Sequence, residues 1–162
     1  MKCMDCNKEM KVVVKNHKYK ESGLDNITLL NVKRYVCSSC GEEYMEIFNP
    51  LELHKVIAMT LVKNTKRITG KELRFLRKYL GFSSAFFAKI IGVTRETVSR
   101  WENGKLSMPK HIDLLIRTMV TNNNPDRNYS FHDSILKNEG SRSSKLKIGV
   151  KKSGEWEIKS AA

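Results

Sequence analysis

The four cysteines of this 162-residue chain form two Cys-x-x-Cys pairs, Cys3/Cys6 and Cys37/Cys40. Each pair presents two thiolates to one ion, and two pairs complete a closed four-cysteine site for zinc. A closed site leaves no open position for a substrate, so the zinc is expected to be structural. The thirty residues between the pairs must then form β structure that runs away from the metal and back to it.

A redox role for the cysteines is the competing interpretation. A thioredoxin-like Cys-x-x-Cys lies at a helix start that follows a strand, and Cys3 lies too near the start of the sequence for that strand. No nucleophile with an oriented base is visible, so an enzyme is not expected. The histidines are dispersed without ligand spacing: His17, His54, His111 and His132.

Residues 1–48 are predicted to be a small β-rich zinc-binding domain. A module this short buries too little core to fold alone, which is why a metal is expected there. Strands are predicted within 11–15, 26–36 and 43–48, because these segments are β-branched or alternate. Gly41 directly follows a cysteine and permits the tight turn of a metal knuckle.

Residues 49–67 are predicted to be a connector helix followed by a hinge. Asn49-Pro50 is typical of a helix start, and the helix is expected over 50–63. The polar stretch 63–67 (KNTKR) is the expected hinge. The positions at helical spacing are Leu51, His54, Ile57, Ala58 and Leu61.

Residues 68–120 are predicted to form an all-α domain of four helices. Thr69 and Glu72 make a capping box at the first of them. The other expected start residues are Ser83, Thr94 and Pro109, and the expected stops and turns are Gly81, Gly92 and Gly104. The residues expected to face inward are Leu73, Leu76, Leu80, Phe87, Ala88, Ile91, Val98, Trp101, Ile112, Leu115, Ile116 and Met119. Those expected to face outward are Arg74, Arg77 and Lys78. The predicted fold class is therefore α+β.

The segment from Ser83 to Gly104 (SSAFFAKIIGVTRETVSRWENG) has the pattern of a DNA-binding helix-turn-helix. Its second helix would enter the major groove, where Arg pairs with guanine and Thr touches a thymine methyl. Hydroxyls and amide groups at the helix starts would bind phosphates. The candidate DNA-binding residues are Ser83, Ser84, Thr94, Arg95, Glu96, Thr97, Ser99 and Arg100. The alternative is an ordinary helical bundle with a basic solvent face.

The positive charge is concentrated in the same part of the chain. The formal net charge is +13 overall, and residues 49–120 contribute +9 of it against +1 from residues 1–48. This distribution favours nucleic-acid binding by the helical region and a protein-binding role for the first 48 residues.

Residues 121–162 are predicted to be a polar tail. The part from 121 to 144 is rich in Asn and Ser and is expected to bury too little surface to order. Residues 145–159 alternate around Ser153-Gly154 as in a hairpin, which would be marginal in isolation. No signal peptide or membrane span is apparent, so a cytoplasmic location with reduced thiols is expected.

Residues 1 to about 120 resemble the MqsA-type antitoxins, which join a "YgiT-type" zinc finger to a Cro/phage-repressor-like helix-turn-helix. The four cysteines carry the first likeness, and the SRWENG sequence carries the second. The resemblance implies structural zinc, a homodimer held by the helix-turn-helix domains and a palindromic operator. It also implies base contacts at the positions of Glu96 and Arg100, although the family archetype has Asn where this chain has Glu96.

Two functional hypotheses follow from these features. In the first, the chain is a type II antitoxin that binds a toxin through its zinc domain and represses its own operon. In the second, it is a stand-alone zinc-containing regulator without a toxin partner. Two recognition helices spaced one DNA turn apart provide useful specificity, which favours a dimer in either case.

Overall fold

The computed structural model describes residues 1–122 and 145–161. This part of the chain is an α+β protein in two compact units. The first unit contains residues 1–20, 25–53 and 145–161, and the second contains residues 21–24 and 54–122. The predicted fold class is confirmed. None of the described helices is long and apolar enough to cross a membrane.

The first unit is built on one long antiparallel strand pair. β1 (Met10–Lys18) and β2 (Ile27–Cys37) pair from Met10↔Cys37 to Lys18↔Thr28. The short strand β3 (Glu43–Met45) pairs with the end of β2, at residues 34–36. The β structure between the cysteine pairs is therefore a hairpin whose two ends meet beside the cysteines.

A second hairpin completes this sheet from the far end of the chain. β4 (Leu146–Val150) and β5 (Trp156–Ala161) are antiparallel, and β4 runs parallel to the start of β2 at 27–29. The sequence pattern predicts this hairpin within a polar tail, where in isolation it would be marginal. The hairpin is not isolated, because Leu146, Ile148 and Trp156 are buried. The segment 123–144, including His132, lies outside the described residues.

Helix α1 (Pro50–Lys63) has the predicted bounds, but one of its predicted apolar contacts is wrong. Leu51 is 83% exposed, whereas Leu53 is fully buried. A proline at the first position fixes where the helix begins but not which side of its first turn is covered. From Ile57 onward the helix buries the residues that the periodicity predicts.

The second unit also contains α2 (Gly70–Tyr79), α3 (Ser84–Ile90), α4 (Arg95–Glu102) and α5 (Lys110–Asn122). The side chains of Thr69, Ser83 and Thr94 accept the amide protons that the sequence pattern assigns to them, and Thr69 forms a complete capping box with Glu72. Fully buried residues from four helices form the core: Leu73, Leu76, Phe87, Val98 and Ile116.

The prediction that Arg77 faces outward is wrong. Arg77 is buried, and its Nε lies 2.6 Å from Oε1 of Glu102, which is also buried. Its Nη1 donates to the Phe82 carbonyl at 2.7 Å. Arg74 donates to the same Glu102 carboxylate at 3.1 Å. These bonds join α2 to the end of α4 and leave few donors of Arg77 unused.

A second buried arginine joins the segment that was expected to be a hinge to α5. Arg117 is fully buried and its Nε lies 2.8 Å from Asp113 Oδ2. Its other nitrogens donate to the carbonyls of Val62 at 2.9 Å and Lys66 at 2.5 Å, and also to that of Asn64. Charged hydrogen bonds thus attach the backbone of residues 62–66 to α5, although the polar sequence of residues 63–67 predicts a hinge.

Candidate metal centre and nucleic-acid interface

The two cysteine pairs are turns with the same hydrogen-bond geometry. The amide of Asn7 donates to the Cys3 carbonyl at 3.0 Å, and the amide of Gly41 donates to the Cys37 carbonyl at 3.0 Å. Both Asn7 and Gly41 have positive φ, at 57° and 77°. Sequence analysis identified Gly41 but missed Asn7. Asn7 could have been identified from the sequence, because Asn tolerates this left-handed conformation better than most residues.

The four sulfur atoms form one compact cluster. Cys6 Sγ lies 3.4 Å from Cys37 Sγ and 3.6 Å from Cys40 Sγ, and Cys3 Sγ lies 3.5 Å from Cys40 Sγ. All four lie within 4.8 Å of one another. A tetrahedral metal with bonds of about 2.3 Å to sulfur needs sulfur atoms about 3.8 Å apart. The cluster therefore fits one tetrahedral metal ion, and its four ligands leave no position for a substrate.

The backbone around Cys37 favours the thiolate form of this cysteine, and a side-chain hydrogen bond links the two turns. Amide groups of Cys40 and then Ser39 donate to the Cys37 sulfur and lower the pKa of Cys37 to about 6. Lys8 Nζ donates to Ser39 Oγ at 2.8 Å, which links the first turn to the second. Met10 is buried against Cys3 and Cys37, and Tyr35 and Tyr44 pack beside them. A bound metal would add a strong connection to this small apolar cluster.

The helix pair α3 and α4 presents the second candidate site. Four residues join the helices, and Gly92 among them has a φ of 70°. Val98 and Trp101 are buried, as predicted, so the opposite face of α4 is left to solvent. The predicted DNA-binding residues are exposed at Ser83, Thr94, Arg95, Glu96, Ser99 and Arg100 and half-buried at Ser84 and Thr97.

A groove of about 330 Å³ runs along this exposed face. Its lining contains four of the predicted residues and two that sequence reasoning missed: Arg95, Glu96, Ser99, Arg100, Asn103 and Lys105. Asn103 follows Ser99 by four positions and bonds to its carbonyl at 2.8 Å. This four-residue spacing along the helix could have identified Asn103 from the sequence as a residue on the same face as Ser99. The groove therefore combines three cationic side chains with groups that both donate and accept hydrogen bonds.

Two of the hydroxyl groups predicted to bind phosphates already cap the first turns of their helices. Ser83 Oγ accepts from the Phe86 amide at 3.1 Å, and Thr94 Oγ1 accepts from the Thr97 amide at 3.2 Å. A hydroxyl that accepts in this way still has a proton to donate. Capping therefore leaves the Ser83 hydroxyl able to donate to a phosphate oxygen.

The charges of residues 54–122 are divided between interior and surface. Of the four acidic residues, Glu72, Glu102 and Asp113 are buried and only Glu96 is exposed. Of the fourteen lysines and arginines, only Arg77 and Arg117 are buried. The surface of the helical unit is therefore more cationic than its formal charge indicates.

The family of the chain is shown by comparison with known protein families. A family model described as the "Antitoxin component of bacterial toxin-antitoxin system, MqsA" matches residues 1–126. The chain belongs to this family. A search of curated proteins found no match, and a search of solved structures also found none. The match ends before β4, so the second hairpin of the first unit lies beyond the matched residues.

Proposed function

We propose that this protein is the antitoxin of a type II toxin–antitoxin pair, acting as a homodimer that binds a palindromic operator and represses its own operon. The observation that carries the DNA-binding part is the exposed face of α4. There, Arg95 and Arg100 flank a groove while Val98 and Trp101 anchor the helix from behind. Because these buried residues fix the position of the helix, its exposed side chains can meet base edges when the helix lies in the major groove.

In this proposal α3 and α4 are the helix-turn-helix. Arg100 is assigned a guanine contact, and Glu96 accepts from a cytosine amino group. Arg95, Thr97 and Ser99 contact neighbouring bases, while Ser83, Ser84 and Thr94 position the protein on phosphates. The cationic surface of residues 54–122 supports this reading, because phosphate contacts dominate DNA affinity.

The four cysteines are proposed to hold one structural zinc ion. A site made only of cysteine sulfur favours zinc among the divalent ions that need tetrahedral geometry. Metal analysis of the purified chain is expected to give one zinc per chain. Cobalt substitution should give the strong near-ultraviolet absorption of four thiolate ligands. Less than half an equivalent of zinc in freshly purified protein would contradict this assignment.

The first experiment for DNA binding is selection from random duplex DNA by the zinc-loaded full-length protein at physiological salt. We expect an inverted repeat with half-sites about one helical turn apart. Arg100→Ala should then weaken specific binding by about 1–3 kcal/mol and relax the preference at one base pair. Lys78→Ala removes the same charge from an exposed position on α2 and should leave the preference unchanged. Binding without sequence enrichment, lost as salt rises, would oppose the proposal.

The toxin part needs a separate test, because a stand-alone regulator would bind DNA in the same way. The chain should be co-expressed with the gene beside its own. Growth arrest by the neighbour alone, its reversal by this chain and a stable purified complex would support the antitoxin role. A neighbour without toxicity or binding would favour the stand-alone regulator.

A further inference from the structure

A cleft of about 400 Å³ lies between the start of α2 and the loop that follows α4. Its lining includes Arg67, Thr69, Gly70, Trp101, Leu106 and Ser107, and none of its lining residues is acidic. It shares no residue with the groove assigned to base contacts. The DNA-binding proposal therefore leaves the cleft without a role.

Arg67 brings a positive charge into this cleft without a carboxylate partner. Its guanidinium is half-buried and donates to the Met108 carbonyl, and in the described part of the chain it has no ion pair. Two acidic residues that bond to the backbone of the neighbouring residues Ile68 and Thr69 are already occupied. Glu72 accepts from the Thr69 amide at 2.8 Å, and Asp113 accepts from the Ile68 amide at 2.8 Å and from Arg117. The charge of Arg67 is thus available to a ligand.

An unpaired, buried hydrogen-bond donor on Trp101 is an independent observation that points to a ligand for the cleft. The side chain is 96% buried, being 4% exposed, and its Nε1–H has no hydrogen-bond acceptor. In the described residues only one other buried side-chain nitrogen, Arg34 Nε, shares this condition. Leaving a buried donor unpaired is unfavourable, so each such group calls for an explanation. Because the Nε1 atom is itself closed to solvent, a ligand oxygen in the cleft would supply the acceptor after a local adjustment of the Trp101 side chain.

The walls of the cleft are held close by packing of backbone against backbone. A Cβ atom on Gly70 would lie 2.3 Å from the Trp101 carbonyl oxygen and 2.7 Å from that of Glu102. Only glycine therefore lets α2 begin so near the end of α4. The start of a helix also carries a partial positive charge, which adds to that of Arg67. The buried Leu73 forms an apolar part of the lining, which weakens the screening of such charges by water.

We propose that this cleft, the Arg67 cleft, is an oxyanion site that binds a phosphate group through the Arg67 guanidinium. The planar guanidinium matches phosphate geometry with two parallel donors. The phosphate has two possible sources, a free phosphorylated small molecule or the backbone of bound DNA. Only the second source depends on the proposed DNA-binding function.

The first arm of the test uses inorganic phosphate and no DNA. The zinc-loaded full-length protein, labelled with ¹⁵N, is titrated with phosphate at constant ionic strength maintained with chloride. The chain has two tryptophans, and hence two indole N–H signals. The Trp101 signal should shift and saturate. The Trp156 indole donates to the Phe48 carbonyl at 2.7 Å in the first unit and is an internal control that should not move.

Variants then assign the response to Arg67. Arg67→Gln removes the charge but keeps a donor for the Met108 carbonyl, so the fold should be retained, and the phosphate shift of Trp101 should be lost. Arg67→Lys should keep a weaker response, and Lys78→Ala should respond like the unchanged protein. A shift of Trp101 that persists in Arg67→Gln would overturn the assignment to Arg67.

The second arm measures affinity for duplex DNA at several salt concentrations. If the cleft receives a DNA phosphate, Arg67→Gln should weaken all sequences about equally and reduce the salt slope by about one unit. If it receives a free ligand, Arg67→Gln should match Lys78→Ala in DNA binding while the response to phosphate is lost. No phosphate shift together with unchanged DNA affinity would refute the site. A saturable phosphate shift in a protein that selects no DNA sequence would instead refute the proposed function alone.

Discussion

The apolar cluster around the cysteines in the first unit is far smaller than the core of the second unit. Met10 is the one fully apolar side chain buried with Cys3 and Cys37. In the second unit, by contrast, four helices bury large aliphatic and aromatic side chains, and two buried arginines join distant backbone segments. At the cysteine end of the first unit apolar burial is small and four sulfur atoms are placed to bind a metal, whereas the second unit relies on packing and charged hydrogen bonds. Each unit should therefore respond to a different perturbation.

Removing a metal ligand should produce the largest effect and should affect the two units unequally. Structural zinc in small domains contributes on the order of 10–16 kcal/mol, so Cys37→Ser should unfold the cysteine end of the first unit. Amide hydrogen exchange should become fast near both cysteine pairs and remain slow in α2 to α5. Ser38→Ala, at an exposed position within the same turn, should retain the metal. Equal loss of protection in both units would show that they unfold together.

Removing a buried arginine should have the opposite effect and destabilise the second unit more than the first. Arg117→Met leaves Asp113 as an unpaired buried charge and the carbonyls of Val62 and Lys66 without their donor. Breaking a buried pair in this way costs about 3–5 kcal/mol. Urea unfolding monitored in the second unit should show this loss while the zinc content stays constant. Lys78→Met, at an exposed position, should change stability by less than about 0.5 kcal/mol. A loss below about 1 kcal/mol in Arg117→Met would mean that packing alone holds the segment.

A smaller change tests whether the second hairpin stabilises the first unit. Trp156→Phe keeps an aromatic ring but removes the N–H that donates to the Phe48 carbonyl. Leaving this carbonyl unpaired should destabilise the first unit by about 1–3 kcal/mol. Ile158→Val on the same strand, whose side chain is more exposed, is the matched control. Equal effects of the two variants on the urea midpoint of the first unit would contradict a role for the Trp156 bond.

The smallest expected effect is a dependence of the second unit on pH. Burial lowers the pKa of His54, whose ring lies edge-on to Phe75 at 5.8 Å. The unfolded pKa is about 6.5, so the stability contribution is complete above that pH. It is lost as the pH falls from there through the folded pKa, because protonation favours the unfolded chain. His54→Gln should flatten this dependence of the urea midpoint between pH 5 and 8, with His111→Gln as an exposed control. An unchanged slope in His54→Gln would assign the pH dependence to other groups.

Local chemistry made much of this structure predictable. Thr69, Ser83 and Thr94 cap helices because a hydroxyl three residues before an amide can satisfy it without help from the rest of the fold. The Cys-x-x-Cys pairs are equally local, and the strand pair that joins them follows from the need to bring four sulfur atoms together.

Contacts between distant residues were not predictable in this way. Arg77 is buried because Glu102 comes to it from another helix, and nothing within one turn of Arg77 indicates this. Similarly, β4 pairs with β2 across more than a hundred residues of sequence. The net charge of the helical region was evident from the sequence, but the burial of Glu72, Glu102 and Asp113 required the fold.

The parallel pairing of β4 with β2 also sets an order for biosynthesis. Ile27 pairs with Leu146, so the start of β2 lacks this neighbour until more than a hundred further residues have left the ribosome. Synthesis proceeds at about 5–20 residues per second, and helices with local contacts fold much faster than that. The helical unit can therefore be complete while the sheet that began before it still has an open edge. Of the two units, the first therefore begins to be synthesised before the second and is completed after it.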